Sequence, residues 1–336
     1  MNDRHDHDDY NDEECAAYRS LMSRAYTAGE LLDTALPELK YVVRGLIPEG
    51  LTILAANPKA GKSFFALNVC IAVASGSGTI AGEFACAQGN VLYYALEDNP
   101  SRIKARMKNV ACGIGVDDGQ IRDTLCFQHE CKRMAAGGLE ELEDYVDSWD
   151  CALVVVDTLA GFVGERRASK NVFFDDYELI RELQRVAAKR RIAIILVHHT
   201  NKDSEKMPLQ QVSGSHGITA AADTVLVMQK EGTTTVLYVA GKDVESAEHR
   251  LVFDKTYGVW SVEGKNSKMG GTPWQRQIME FVETYSVRGA FVHEVNERFT
   301  DHNPISIRQE LKRMADKGLL ERVENGRYRV EGLVGL

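Results

Sequence analysis

Five short runs that are apolar at nearly every position punctuate the middle of the chain: "LTILAA" from Leu51, "NVLYYAL" from Asn90, "ALVVVD" from Ala152, "IAIILVHH" from Ile192 and "DTVLVM" from Asp223. A strand with one wet face alternates apolar and polar residues, so unbroken apolar runs predict strands covered on both faces, as in a parallel sheet between helices. Between the runs lie stretches of helical period. "SFFALNVCIAVASG" closes at Gly76, and in "DDYELIRELQRVAAKRR" the residues Leu179, Ile180, Leu183, Val186 and Ala187 share one face. After Thr233, "TTVLYVAGK", "RLVFD" and "GVWSV" read as short strands that extend the sheet by antiparallel pairing. The expected fold class is α/β, with a mostly parallel central sheet.

The pattern changes at "EGKNSKMGGTP", where hydrophobicity drops and Gly, Lys and Ser gather as in a linker. Beyond it, helices are predicted over residues 274–285, 291–299 and 305–317, then two short strands about the turn Glu324-Asn325-Gly326. Three helices followed by a hairpin resemble a winged helix-turn-helix, with "SIRQELKRMADKGLL" as recognition helix and "VENGRYRV" as wing. Arg308, Lys312, Arg313 and Lys317, with Arg327 and Arg329 in the wing, suit duplex phosphates. Glu310, Asp316, Glu321 and Glu324 interleave with them, which leaves a protein-docking role open. The expected plan is an acidic disordered tail over 1–25, an α/β domain over 26–264, a linker over 265–273 and a winged-helix domain over 274–336.

Composition narrows the class. A chain of 336 residues, 44% hydrophobic, has room for one large domain and a smaller one. It has no apolar run long enough to span a membrane, and "MNDRHDHDDYNDEEC" lacks the basic start and apolar stretch of a signal peptide, so a cytoplasmic protein without a membrane partner is expected. The net charge of −9 argues against a histone-like binder, although much of the excess sits in the first fourteen residues. His5 and His7 there are read as part of a solvated tail rather than as metal ligands. Seven cysteines without paired spacing indicate neither a disulfide framework nor a zinc site.

The chemistry is concentrated in "NPKAGKSF", Asn57, Pro58, Lys59, Ala60, Gly61, Lys62, Ser63 and Phe64, between a strand and a helix. This is the close of a phosphate-binding loop: backbone N–H groups and the helix N-terminus cradle a phosphate, Lys62 reaches the β- and γ-phosphates, and the Ser63 hydroxyl binds Mg²⁺. Ala56 stands where the usual pattern begins with glycine, and a methyl group is tolerated there if φ is negative. Gly61 is then the glycine that cannot be replaced. Asp157, at the end of "CALVVVD", is expected to hold the metal, and Glu97, ending "VLYYALED", to orient the attacking water. Asp98, with Asn99 and Pro100, looks more like a helix start, and Arg102 and Arg106 would contact nucleotide or DNA, or form surface ion pairs.

On "NPKAGKS", "YYALEDNPSRIKARM", "VVVDTLAG" and "ILVHHTNK", residues 27–264 resemble a RecA-like ATPase of the plasmid RepA-type hexameric helicase family, and are similar to DnaB-type helicase cores. The resemblance implies ATP as nucleotide, a homo-hexameric ring, and His199, with His198 as alternative, as the sensor of the γ-phosphate. It also implies that residues 201–223, with Lys202, Lys206, Gly214 and Ser215, contact single-stranded DNA. A short helix over residues 29–35 would pack on a neighbouring subunit. DnaB-type rings reach a neighbour's γ-phosphate with a Lys and an Arg two residues later; here Lys242 is followed by Val244, leaving Lys242 alone or Arg250 as substitute. The function implied is a DNA helicase in plasmid, phage or mobile-element replication. The alternatives are a RecA-like DNA-binding ATPase that does not unwind and an ATP-controlled winged-helix regulator.

Overall fold

The structure is a computed structural model that describes residues 12–164, 171–201, 207–212, 216–231, 234–263, 273–285, 288–316, 319–324 and 326–330. Its central sheet has nine strands: β1 (Gly50–Ala56), β2 (Asn90–Ala95), β3 (Leu125–Gln128), β4 (Cys151–Asp157), β5 (Ala193–His199), β6 (Thr224–Glu231), β7 (Thr234–Gly241), β8 (Ala247–Asp254) and β9 (Val259–Val262). The order across the sheet is β9-β8-β7-β6-β1-β5-β4-β2-β3. Neighbours from β6 to β3 pair in parallel, and β7, β8 and β9 continue the sheet antiparallel. The five apolar runs became the inner parallel strands, whose apolar positions are almost all buried. β3 was not legible because "LCFQ" is short and half-exposed at the sheet edge.

The two-residue period of a strand sorts each apolar run between two cores. Leu54, Ala56, Tyr93, Ala95, Leu153, Val155, Ile195 and Val197 pack with the helix Lys62–Ser75 on one face. Leu51, Ile53, Leu92, Tyr94, Val154, Val156, Ile194 and Leu196 pack on the other, against Ile180, Leu183 and Val186 of the helix Val172–Arg190. The helix Lys62–Ser75 is almost wholly buried and ends at Gly76, whose φ of 63° makes the left-handed cap.

The expected disordered tail over 1–25 is corrected for part of its length. Residues Asp12–Met22 form a helix, with Leu21 buried and the Tyr18 ring 5.7 Å from the Arg191 guanidinium, so apolar and aromatic positions at helical spacing give this acidic segment a surface to pack on. His5 and His7 lie outside the described residues. The predicted short helix follows at Ala28–Asp33, started by Thr27 and Glu30, which satisfy each other's backbone N–H groups.

In the C-terminal unit the helices span Pro273–Glu283, Val292–Arg298 and Pro304–Asp316. A three-stranded antiparallel sheet joins Ala290–Phe291, Arg327–Val330 and Leu320–Glu324. Trp274, Ile278, Leu311 and Met314 centre its own core.

Candidate active site

Parity along the strands decides which side chains face the phosphate-loop helix. Asp157 follows Leu153 and Val155, and His199 follows Ile195 and Val197, so both continue the rows that pack on that helix, whereas His198 continues the opposite row. The site stands at the C-terminal ends of β1, β4, β5 and β2, where parallel sheets gather ligands.

The loop after β1 carries its left-handed turns at Lys59 (φ 64°) and Gly61 (φ 92°), while Ala56 is a buried strand residue whose carbonyl accepts from Thr200 N–H at 3.1 Å. Alanine at position 56 therefore imposes no strain, as expected. Asn57, Pro58 and Lys59 are exposed, and Thr200 Oγ donates to Asn57 Oδ1 at 3.0 Å. A helix leaves the N–H groups of its first turn without internal partners, and here those belong to Lys62, Ser63 and Phe64. The Phe64 ring turns away from the loop, toward Phe253 and beneath Arg106.

Lys62 is buried and its ammonium lies 3.2 Å from His199 Nδ1. Burial lowers the Lys62 pKa, against the opposing pull of Asp157 and Glu97. The His199 pKa is also lowered, by burial first and by the Lys62 charge second. Asp157, 6% exposed, accepts from the Ser63 hydroxyl and, at 2.8 Å, from the Tyr93 phenol; burial still raises its pKa. Glu97 lies two residues past β2, where its Oε1 accepts from Thr158 Oγ at 2.8 Å. Ser63, Tyr93, Glu97, Asp98, Arg106 and Asp157 line one polar cleft. A serine hydroxyl bonded to a carboxylate beside that cleft presents hard oxygen donors, which fits Mg²⁺, an ion that keeps most of its shell as water and phosphate oxygen.

Tyr93 and Thr158 escaped the sequence reading. A tyrosine in a strand buried on both faces was the available signal, since its hydroxyl needs a partner. Asn99 caps the helix Pro100–Ile114 as expected. Asp98 does more than start it, accepting from Arg102 at 2.6 Å and from Arg106.

Other expected residues lie elsewhere. Lys242 follows β7 at the opposite end of the sheet, 2.8 Å from Asp223, which also accepts from Leu51 N–H at the start of β1; it does not reach the site of its own chain. Arg250 is exposed on β8. Of the loop 201–223, Val212 bridges back to Thr200, Pro208–Gln211 makes a short turn, and Met207 and Leu209 are exposed. Lys202, Lys206, Gly214 and Ser215 lie outside the described residues, as do Lys317 and Asn325. In the C-terminal unit Arg327 pairs with Glu324 and Arg329 with Glu321, while Arg308 and Lys312 are exposed.

A phosphate loop between a central parallel strand and a buried helix, with Asp157 two strands away across β5 and Glu97 after the strand beyond it, defines a RecA-like P-loop ATPase. The chain belongs to the AAA domain family AAA_25, whose profile matches residues 18–205, more than half of its length. The DNA repair protein RadA of two strains of Mycobacterium tuberculosis is 23% identical over 210 residues, 62% of this chain and 38% of that protein. The chain thus spans well under half the length of these curated relatives. Among solved structures, a DnaB-like replicative helicase, solved in a study of its interactions with primase, aligns with 73% of this chain and 70% of its own at a TM-score of 0.54 and 14% identity. A second solved structure, an isolated ATPase domain, aligns with 63% of this chain and 84% of its own at a TM-score of 0.50 and 13% identity. At such identities the likeness establishes the fold. No described helix is long and apolar enough to cross a membrane.

Proposed function

We propose that the chain is a Mg²⁺-dependent ATPase acting on DNA, a ring-forming helicase of the RepA type serving plasmid, phage or mobile-element replication. The observation that carries the ATPase part is the convergence of Lys62, Ser63, Glu97, Asp157 and His199 at the C-terminal ends of the inner parallel strands. Lys62 and the first-turn N–H groups bind the ATP phosphates. Ser63 and Asp157 would hold Mg²⁺, which neutralises phosphate charge when bound. Thr158 fixes Glu97 so that its carboxylate orients and polarises the attacking water. His199, next to Lys62, registers the γ-phosphate and passes its presence to the 201–223 loop.

The DNA part draws on a DNA repair protein and a replicative helicase among the similar proteins, and on the C-terminal unit, read as a winged helix with Arg308 and Lys312 outward. Assembly, a hexamer in this reading, is supported by the helix Ala28–Asp33, which buries none of its residues and leaves Leu32 84% exposed as an apolar anchor for a second copy. A DNA repair protein among the similar chains goes with a second reading, a DNA-binding ATPase that does not unwind, because repair does not by itself require strand separation.

ATP hydrolysis by the purified chain, with and without single-stranded DNA, tests the first reading, with Lys62→Ala and Glu97→Gln as controls. Stimulation by single strands that both substitutions abolish, followed by displacement of an annealed strand, is the expected result. Stimulated hydrolysis without strand displacement selects the second reading.

A further inference from the structure

The segment Tyr257–Trp260, the turn into β9, touches the phosphate-loop helix on one side and the C-terminal unit on the other. Toward the loop, Trp260 Nε1 donates to the Gly61 carbonyl at 3.2 Å, and Trp260 N–H donates to Asn68 Oδ1 at 2.9 Å. Asn68 Nδ2 in turn donates to the Gly258 carbonyl at 2.9 Å. Gly258, at φ 71°, lies so close to Phe64 that a Cβ there would stand 2.4 Å from the ring. Away from the loop, the Tyr257 phenol oxygen accepts from Arg313 Nη1 at 3.1 Å. Arg313 belongs to the third helix of the C-terminal unit, is 49% exposed, and has a second partner in Glu310 at 3.6 Å.

We propose that Tyr257–Trp260 is a strap that positions the phosphate loop, and that the C-terminal unit sets the strap through Arg313. The inference rests on the ATP-site reading and adds a regulator to it. Trp260 is a positioning residue: it acts through Gly61 and Asn68. The switch is the choice of acceptor at Arg313. An anionic ligand along the exposed face that carries Arg308 and Lys312, the phosphate backbone of duplex DNA, competes with Tyr257 for the guanidinium, and charge-assisted bonds to phosphate are the stronger kind. Withdrawing Arg313 frees Tyr257, hence Gly258 and Trp260, and with them the loop. Coupling between two binding sites is reciprocal, so nucleotide at the loop must alter the third helix in turn.

The test is amide hydrogen exchange of the full chain with and without a non-hydrolysable ATP analogue and Mg²⁺. The analogue is expected to slow exchange over 62–75 and to change it over 304–316; in Tyr257→Phe, which keeps the buried ring and loses the acceptor, the first effect persists and the second disappears. Slowed exchange over 62–75 with no change over 304–316 in the unsubstituted chain overturns the strap and leaves the ATP site standing. No change in either region overturns both. Arg313→Ala, remote from the site, is expected to shift affinity for the analogue about five-fold or more, at the low end of allosteric coupling, while Arg298→Ala, on the second helix of the same unit, does not. A lower melting temperature in Arg313→Ala with unchanged affinity would mark Arg313 as structural only and overturn the proposal.

Discussion

The Lys62 ammonium meets Nδ1 of His199 at 3.2 Å, and since an ammonium has only donors, that ring nitrogen accepts. His199 is therefore neutral when the contact is made. Its pKa lies below the ordinary 6.5, because burial and the Lys62 charge both disfavour the imidazolium. Between the lowered value and 6.5 the unfolded chain binds more protons than the folded one, so stability rises with pH there and is lost as pH falls through the folded value. Melting curves from pH 8 down to pH 5 should show a steeper acid loss for the native chain than for His199→Gln. Equal slopes would mean that the imidazole does not titrate in this setting.

That contact also marks how far a sequence can be read. The apolar runs located β1, β2, β4, β5 and β6, and alternation from Ile195 and Val197 places His199, not His198, on the side of Lys62. Asp157 and Glu97 were legible because a strand end is a position defined locally. Tyr93 and Thr158 were not, since their partners stand 64 and 61 residues away and are chosen by the strand order. Trp260 was legible only as part of the short strand "GVWSV"; its bond to Gly61 spans 199 residues. The N-terminal helix was missed because its acids outweigh in composition the few apolar positions that pack.

Tyr93→Phe tests the support of Asp157, the carboxylate proposed to hold Mg²⁺. The phenol is one of two hydroxyls that donate to Asp157, and losing a hydrogen bond to a buried charged group costs about 1.5–3 kcal/mol. The ring remains, so the chain should fold with a lowered melting temperature. ATP hydrolysis should fall, with the Mg²⁺ concentration for half-maximal rate rising because Asp157 is less well held. Rates and Mg²⁺ dependence identical to those of the native chain would assign Tyr93 to packing alone.

Gly61→Ala should damage the loop for two reasons that can be told apart. At φ 92° an L-residue is strained, and its Cβ would stand 2.6 Å from Trp260 Cζ2. Overpacking of this sort costs about 1–3 kcal/mol. Adding Trp260→Phe removes the clash and leaves the backbone strain. Partial recovery of the melting temperature in the double variant, without recovery of nucleotide binding, is the expected pattern; full recovery of both would mean that the left-handed turn is dispensable.

Lys242→Ala separates a structural lysine from one that serves another subunit. Lys242 is exposed at the far end of the sheet from Lys62, and the mostly buried Asp223 keeps its bond from Leu51 N–H, so losing the ion pair should lower the melting temperature only slightly and leave the binding of ATP by the isolated chain unchanged. If Lys242 reaches a neighbour's γ-phosphate in an assembled ring, the turnover number falls while affinity holds, because a charge supplied in trans stabilises the transition state more than the ground state. Mixing the Lys242→Ala chain with a Glu97→Gln chain is then the deciding measurement. Each variant alone is nearly inactive, yet a mixed ring contains junctions where an intact Glu97 faces an intact Lys242, so mixing restores hydrolysis. Hydrolysis by Lys242→Ala alone at the native rate removes Lys242 from the reaction and leaves Arg250 to be tested in its place.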